Sequence, residues 1–356
     1  RNQARCVAHV YLKLLLDSSS WAGEMGVAYS SPIPGELVSK GVTEAERRPL
    51  VVLGSMAVDT VLSVERPPRR GETICASTCE VFPGGKGANQ AAAAAMLGYP
   101  TYFIGQFGSD ANGELIRKAM EECGVDLSLS RTVDCSTGQG MIMLEPDGEN
   151  SIIITAGANR APWEITDEIR KEIRNCGILM LQREIPEEVN IEAAQIAQRA
   201  GVPVVLDAGG MEGQISEELL KCTTVISPNE TELARMTGMP TGTTEEIHAA
   251  AATLLDRGVE AVLLKLGAQG SVMLRRAGMP PVLQQAIPVQ KVVDTTAAGD
   301  CYTASWAVAS LEDRSSAESM LFAAVAAAIC VQRKGAMTSL PFAEEVLGLL
   351  KKIQLQ

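Results

Sequence analysis

Asp300 is the residue in this chain best placed to move a proton. It closes the run Asp294-Thr295-Thr296-Ala297-Ala298-Gly299-Asp300, which feeds an apolar, helix-compatible segment over 301–311. The small residues Ala297, Ala298 and Gly299 leave backbone N–H groups uncovered, and a helix opening just beyond them aims its positive dipole end at whatever binds there. Phosphate suits such a hole. A carboxylate in the first turn is stabilised by the same dipole, so Asp300 can serve as the base for a hydroxyl attacking a phosphoryl group. The competing reading is a glycine turn followed by an ordinary acidic residue at a helix start.

A second glycine cluster, Phe82-Pro83-Gly84-Gly85-Lys86-Gly87-Ala88-Asn89-Gln90, precedes an alanine-rich segment over 91–97 that Gly98 and Pro100 bring to a stop. It is no Walker A loop, because the preceding glycine spacing is wrong and neither Ser nor Thr follows the lysine. Lys86 and Asn89 instead put donors beside bare backbone, which suits a polyhydroxylated ligand such as a sugar. The alternative is a helix N-terminus with a solvated lysine.

Composition removes several other chemistries. Only His9 and His248 exist, so histidine-based nucleophilic catalysis has almost nothing to work with and carboxylate chemistry remains. A net charge of −12 argues against nucleic acid, whose phosphates call for a basic surface. No apolar run reaches the ~20 residues of a membrane span, and the longest, over 322–331, reads as a buried helix. Nine cysteines without metal-ligand rhythm fit a reducing, intracellular and cytoplasmic setting; Cys75 and Cys79 are a pair and no zinc site.

These residues need a frame, and the hydrophobic pattern describes one. Short apolar runs over 50–53, 102–107, 178–181, 203–207, 224–227 and 261–265 read as strands buried on both faces, alternating with helices over 113–123, 190–200 and 244–257. That βαβ series predicts an α/β fold with a doubly wound parallel sheet in three layers. Residues 60–81 and 136–155 break the rhythm. The second spells a hairpin around Pro146-Asp147-Gly148. Residues 1–48 stand apart as an irregular extension, serine-rich, with one short helix over 6–16. A plastid transit peptide is one reading, though Asp17, Glu24, Glu36, Glu44 and Glu46 are more acidic than such peptides usually are. Residues 49–350 form the remaining domain.

The two glycine motifs, in this order and at this separation, resemble the PfkB family of sugar kinases and, within it, the ribokinase branch. The likeness extends through Gly54-Ser55-Met56-Ala57-Val58-Asp59, Arg69-Arg70-Gly71-Glu72-Thr73, Ala156-Gly157-Ala158-Asn159, Leu181-Gln182-Arg183-Glu184, Pro228-Asn229-Glu230-Thr231-Glu232, Leu266-Gly267-Ala268-Gln269-Gly270 and Arg333-Lys334-Gly335-Ala336. The spellings Gln182-Arg183-Glu184-Ile185-Pro186 and Asp207-Ala208-Gly209-Gly210-Met211 look most like the plant type. The resemblance implies that Asp300 takes the proton from the 5-hydroxyl of ribose while Ala297, Ala298 and Gly299 meet the γ-phosphate. It implies a sugar site at Ala57, Asp59, Gly85, Lys86, Asn89 and Glu184. The nucleotide would lie along Lys265, Leu266, Gly267, Ala268, Gln269 and Gly270 and near Ala324, with Asp207 and Asn229 close to its phosphates.

Asn229 and Glu232 would organise the water shell of Mg²⁺, and K⁺ would sit at Asp294, Thr296, Cys330, Arg333, Gly335 and Ser339, mostly on backbone carbonyls. The family's small β lid would come from 60–81 and 136–155, and its unpaired edge invites a homodimer. Three positions depart from bacterial relatives: Ala57 and Asp207 stand where those carry Asn, and Ala324 where some have His. Losing one sugar hydrogen bond costs about 1 kcal/mol or more, so fructose, deoxyribose and nucleosides stay open as acceptors. A non-catalytic sugar sensor on this fold should have lost Asp300 or Gly299, and both are present; a dinucleotide oxidoreductase would need Gly-x-Gly-x-x-Gly after the first strand, and it is absent.

Overall fold

The structure is a computed structural model and describes residues 47–210, 213–276 and 279–355. The extension up to residue 46, with His9 and the helix expected over 6–16, lies outside the described residues, as does Met211.

The described chain opens on β1 (Leu50–Leu53) and passes through β2 (Ala57–Ser63) and β3 (Thr78–Gly84) into helix α1 (Lys86–Met96). β4 (Thr101–Ile104), β5 (Gln106–Gly108), α2 (Ala111–Glu122) and β6 (Arg131–Val133) lead to the hairpin β7 (Gly138–Leu144) and β8 (Asn150–Thr155). Strand and helix then alternate through α3 (Asp167–Asn175), β9 (Ile178–Arg183), α4 (Glu187–Arg199), β10 (Val204–Gly210), α5 (Glu217–Cys222) and β11 (Val225–Ser227). After α6 (Glu230–Thr237) and α7 (Thr244–Asp256), β12 (Ala261–Lys265) reverses into β13 (Ser271–Arg275) and β14 (Val282–Gln284). Three helices, α8 (Ala298–Leu311), α9 (Ser316–Cys330) and α10 (Ala343–Gln354), close the chain.

The main sheet runs β14-β13-β12-β11-β10-β9-β1-β4. Its strands from β12 to β4 are parallel, as the βαβ rhythm predicts, while β13 and β14 add an antiparallel edge. The reason is local: β12 and β13 are joined by a tight turn with Gly270 at φ 99°, too short for the helical crossover that a parallel neighbour requires. The strand expected over 102–107 divides. β4 joins the main sheet and β5 pairs with β6; at the break between them Gly105 packs against the Phe103 ring and Met56, where a side chain would collide.

Period-2 alternation splits β1 between two cores. Leu50 and Val52 face the layer that contains α1, α8 and α9, and Val51 and Leu53 face the layer of α3 to α7. Each fully buried aliphatic side chain contributes about 1.5–3 kcal/mol. The alanines of α1 are small for a reason: Ala91, Ala92 and Ala94 are fully buried, as are Ala304 and Ala307 of α8, so the two helices pack closely and bring their N-termini together.

The interrupting segments form a second sheet, β3-β2-β7-β8, with β2 antiparallel to β3 and parallel to β7. The turn at 146–148 closes its hairpin, with Gly148 at φ 92°. Ile152, Ile153 and Ile154 on β8 are 52%, 60% and 73% exposed, so this edge strand has an uncovered apolar run.

Candidate active site

Functional side chains gather at the carboxyl ends of β1, β9, β10 and β12, where α1 and α8 begin, the usual ligand position in an open α/β sheet. The turn before α8 is held by Asp294, whose Oδ1 accepts from the N–H and hydroxyl of Thr296 and whose Oδ2 accepts from Gly335 N–H. Ala297 then takes the left-handed conformation, φ 60°, which costs an alanine about 1–2 kcal/mol. No side chain caps α8. Ala298 N–H makes a 3.2 Å turn bond to Thr295 O, whereas no acceptor among the described residues meets the N–H groups of Ala297, Gly299 and Asp300.

Asp300 lies at the floor of this hole, 5% exposed. Its Oδ2 accepts from Asn89 Nδ2 at 3.0 Å and its Oδ1 from Gln90 Nε2 at 3.2 Å, with Lys86 Nζ 4.0 Å from Oδ1. Burial pushes the Asp300 carboxyl above the ordinary aspartate range, against Lys86, and the charges of Asp207 and Glu184 push the same way. Asp207 goes the other way. Burial opposes its charge too, yet Lys265 at 2.8 Å and the nearby Lys86 hold it below the usual range. Two buried carboxylates with divergent proton affinities assign the roles: Asp300 can gain a proton, Asp207 stays ionised. Asp300 in turn raises the pKa of Lys86, keeping it cationic.

Thr303 ties the floor together, its Oγ1 lying 3.0 Å from both Asp207 Oδ2 and the Gly299 carbonyl, either of which can accept its one proton. Lys265 Nζ lies 3.6 Å from where a Gly299 Cβ would be, so its ammonium faces the anion hole as well as Asp207. Its backbone bridges to Asn229. Asn229 and Glu232 form a reciprocal capping box at the start of α6, with Asn229 Oδ1 accepting from Glu232 N–H and Glu232 Oε2 from Asn229 N–H. Gly267, Ala268 and Gln269 form an exposed turn after the buried Leu266, and Ala324 is buried within α9.

On the lid side, Glu184 Oε2 accepts from Ser55 Oγ at 2.5 Å and from Lys86 N–H at 3.0 Å. Asp59 emerges from β2 between Gly84 and Gly140, where any Cβ would lie within 2.8 Å of its carboxylate oxygens. Burial, helped by the charge of Glu184, pushes its pKa up to about 6. Gly85, at φ 90°, lets α1 start against the backbone of Met56 and Ala57.

The residues expected for a monovalent cation meet in a neighbouring cluster. Cys330 Sγ contacts Ser339 Oγ at 3.1 Å and the Thr296 carbonyl at 3.9 Å, and Gly335 is tied to Asp294. The Arg333 guanidinium turns away to Glu345, leaving only its backbone to face this cluster. Four residues of the site carried no role in the sequence reading: Ser55, Gln90, Gln182 and Thr303. Three lie inside quoted motifs, and Thr303 follows Gly299 by four residues, the spacing at which a helical threonine reaches back to a carbonyl.

Residues 47–343 match the family described as pfkB family carbohydrate kinase. The chain is 50% identical to the ribokinase of Arabidopsis thaliana over 317 residues, 88% of this chain and 83% of that protein. It is 38% identical to the ribokinase of Haemophilus influenzae, covering 86% of this chain and 99% of that one. A solved structure of Arabidopsis thaliana ribokinase complexed with ribose and ATP superposes with a TM-score of 0.83, covering 86% of this chain and 99% of that chain. The match over residues 47–343 and this extent of likeness lead to one conclusion: the chain belongs to the pfkB family of carbohydrate kinases, on its ribokinase branch.

Proposed function

We propose that this chain transfers the γ-phosphoryl group of ATP to the 5-hydroxyl of D-ribose, giving D-ribose 5-phosphate. The observation that carries the reading is Asp300, a buried carboxylate with raised proton affinity beside uncovered N–H groups. Asp300 takes the hydroxyl proton as the oxygen attacks, and the N–H groups of Ala297, Ala298 and Gly299 meet the charge on the phosphoryl group in flight. Lys86 balances the carboxylates around it. Asp59, Asn89 and Glu184 hold the sugar hydroxyls, and the buried Asn89 Oδ1, which has no partner among the described residues, gains one from a hydroxyl. Lys265, held by Asp207, faces the phosphates, and the 266–270 turn borders the nucleotide.

Asn229 and Glu232 offer hard oxygen donors beside the site and suit the water shell of Mg²⁺, which would neutralise phosphate charge when bound. The cluster of Asp294, Thr296, Cys330, Gly335 and Ser339, with the Arg333 backbone, suits K⁺ by pairing the Asp294 carboxylate with the Thr296 carbonyl that Cys330 approaches. Those residues secure the same turn that presents the anion hole, so an ion there preorganises it. Turnover is expected to be well above that in Na⁺ at equal ionic strength, and equal rates would remove the site. We place residues 1–48 outside the catalytic unit in an intracellular protein, and a second copy against the exposed β8 edge.

A coupled ATP assay across ribose, deoxyribose, fructose and adenosine tests the acceptor. Ribose should give the highest kcat/KM; a higher value for any other acceptor overturns the assignment. Ala57 supplies no side-chain hydrogen bond at the start of β2, so deoxyribose is the nearest competitor.

A further inference from the structure

Two buried glutamines sit behind the base, and the proton transfer described above makes no use of them. Gln90 and Gln182 are both fully buried, on α1 and β9. Gln182 Nε2 donates to Gln90 Oε1 at 2.7 Å, and Gln90 Nε2 donates to Asp300 Oδ1 at 3.2 Å. A carboxamide has one donor end and one acceptor end. With its oxygen occupied by Gln182, the Gln90 amide must turn its NH₂ toward Asp300; the flipped amide would set oxygen against oxygen.

Gln182 is itself held in place. Its backbone carbonyl accepts from Asn190 Nδ2 at 2.7 Å, and its side-chain Oε1 lies 1.9 Å from where a Gly54 Cβ would be and 2.9 Å from that of Gly87. That oxygen has no hydrogen-bond donor among the described residues and rests against the Cα atoms of the two glycines. The glycine that follows β1 and the glycine after Lys86 thus acquire a common reason: they leave room for the Gln182 amide.

We propose that Gln182 and Gln90 form a one-way amide relay that positions the Asp300 carboxylate for proton abstraction. The relay rests on Asp300 being the base. Asn89 pins the other carboxylate oxygen, so neighbouring residues of one helix hold both oxygens and leave the remaining lone pairs for the attacking hydroxyl. Donation also favours the ionised form, offsetting the burial and the charges of Asp207 and Glu184 that work against it, alongside Lys86; the neighbouring thiols Cys301 and Cys330 complete the titratable groups around Asp300. Gln90 and Gln182 are positioning residues, since neither needs to touch a reactant.

The test uses the full chain with Gln90→Met, Gln182→Met, the double variant and Asp300→Asn, the methionines preserving length and packing. Each single methionine variant should lower kcat about 10-fold while KM for ribose and ATP stays within about 2-fold, the pattern of an interaction that acts on turnover and not on binding. The acid limb of the kcat profile should move up by about one pH unit, because the carboxylate has lost a donor. The double variant should be no slower than the slower single variant, as members of one relay are not additive. An unmoved acid limb, losses that multiply in the double variant, or a lower thermal midpoint with unchanged kcat would each overturn the relay. If one single variant does not fold, the acid limb of the other decides. An inactive Asp300→Asn beside unmoved glutamine variants removes the relay alone; full turnover in Asp300→Asn removes the base and the relay with it.

Discussion

Helices α2, α3, α5, α6, α7 and α9 start on Asp110, Thr166, Ser216, Asn229, Thr243 and Ser315, each accepting from the N–H three residues on. Helices α1 and α8 start on Gly85 and Ala297, without a side-chain cap and at φ 90° and 60°. Helices α4 and α10 also lack a capping side chain, but their first residues keep negative φ. An absent cap costs about 1 kcal/mol, and left-handed alanine about 1–2 more. Among the described helices only α1 and α8 start at positive φ, and at α8 the residue that takes it is an alanine and not a glycine. The two also differ from each other. Lys86 N–H at the start of α1 is taken by Glu184, whereas at α8 the N–H groups of Ala297, Gly299 and Asp300 meet no acceptor among the described residues. In the proposed reaction the first start orients Lys86 and Asn89 toward the sugar and the second receives the phosphoryl group.

Four experiments press on this contrast, beginning with the largest effect. Asp300→Asn keeps the shape of the first turn of α8 and removes the base, so turnover should fall at least about 100-fold with ATP affinity nearly unchanged. Wild-type turnover would leave α8 as an anion hole without a base. Ala297→Val places a β-branched residue in the left-handed conformation and should shift the loop, lowering kcat about 10-fold. A crystal structure with the same φ and an unchanged rate would show that the loop geometry is not tied to catalysis.

A smaller effect concerns Asp59. With its pKa up at about 6, it is a full acceptor for sugar hydroxyls only above that value, so KM for ribose should rise as pH falls below about 6, and Asp59→Asn should flatten the profile. The linkage to stability has the opposite sense. A carboxyl whose folded pKa is raised favours the fold below its ordinary value of 3.8, and that contribution is lost as pH rises through about 6. Denaturant titrations of free wild type and Asp59→Asn should therefore diverge in the variant's favour across that window. Last, Ser315→Ala should cost about 1 kcal/mol in denaturant unfolding and leave kcat unchanged, because α9 is capped only for stability. Loss of activity there would erase the distinction between the two kinds of helix start.

Much of the site was legible in the order of residues, because glycine loops and helix starts obey short-range rules. Gly85-Lys86 and Gly299-Asp300 announce turn–helix junctions without reference to the rest of the chain. The strand over 261–265 and the hairpin around 146–148 follow from apolar runs and turn chemistry in the same way. What escaped was long-range or fell between patterns. The antiparallel β13 and β14 are not among the expected strands, since only the turn at 266–270 reverses the chain onto β12.

By itself, then, the sequence determined which chemistry this protein has available: a carboxylate beside bare backbone, a lysine and an asparagine beside another turn, and a βαβ frame to carry them. Tertiary structure decided which of these meet. Asn89 and Asp300 are 211 residues apart yet share a hydrogen bond, and Gln182 reaches Gln90 across 92. It also decided that Asp207 is paired by Lys265 while Asp300 is left with raised proton affinity. The physical reason is that propensity and capping act within a few residues, whereas burial and electrostatic pairing depend on which distant groups the packed sheet and helices bring within reach.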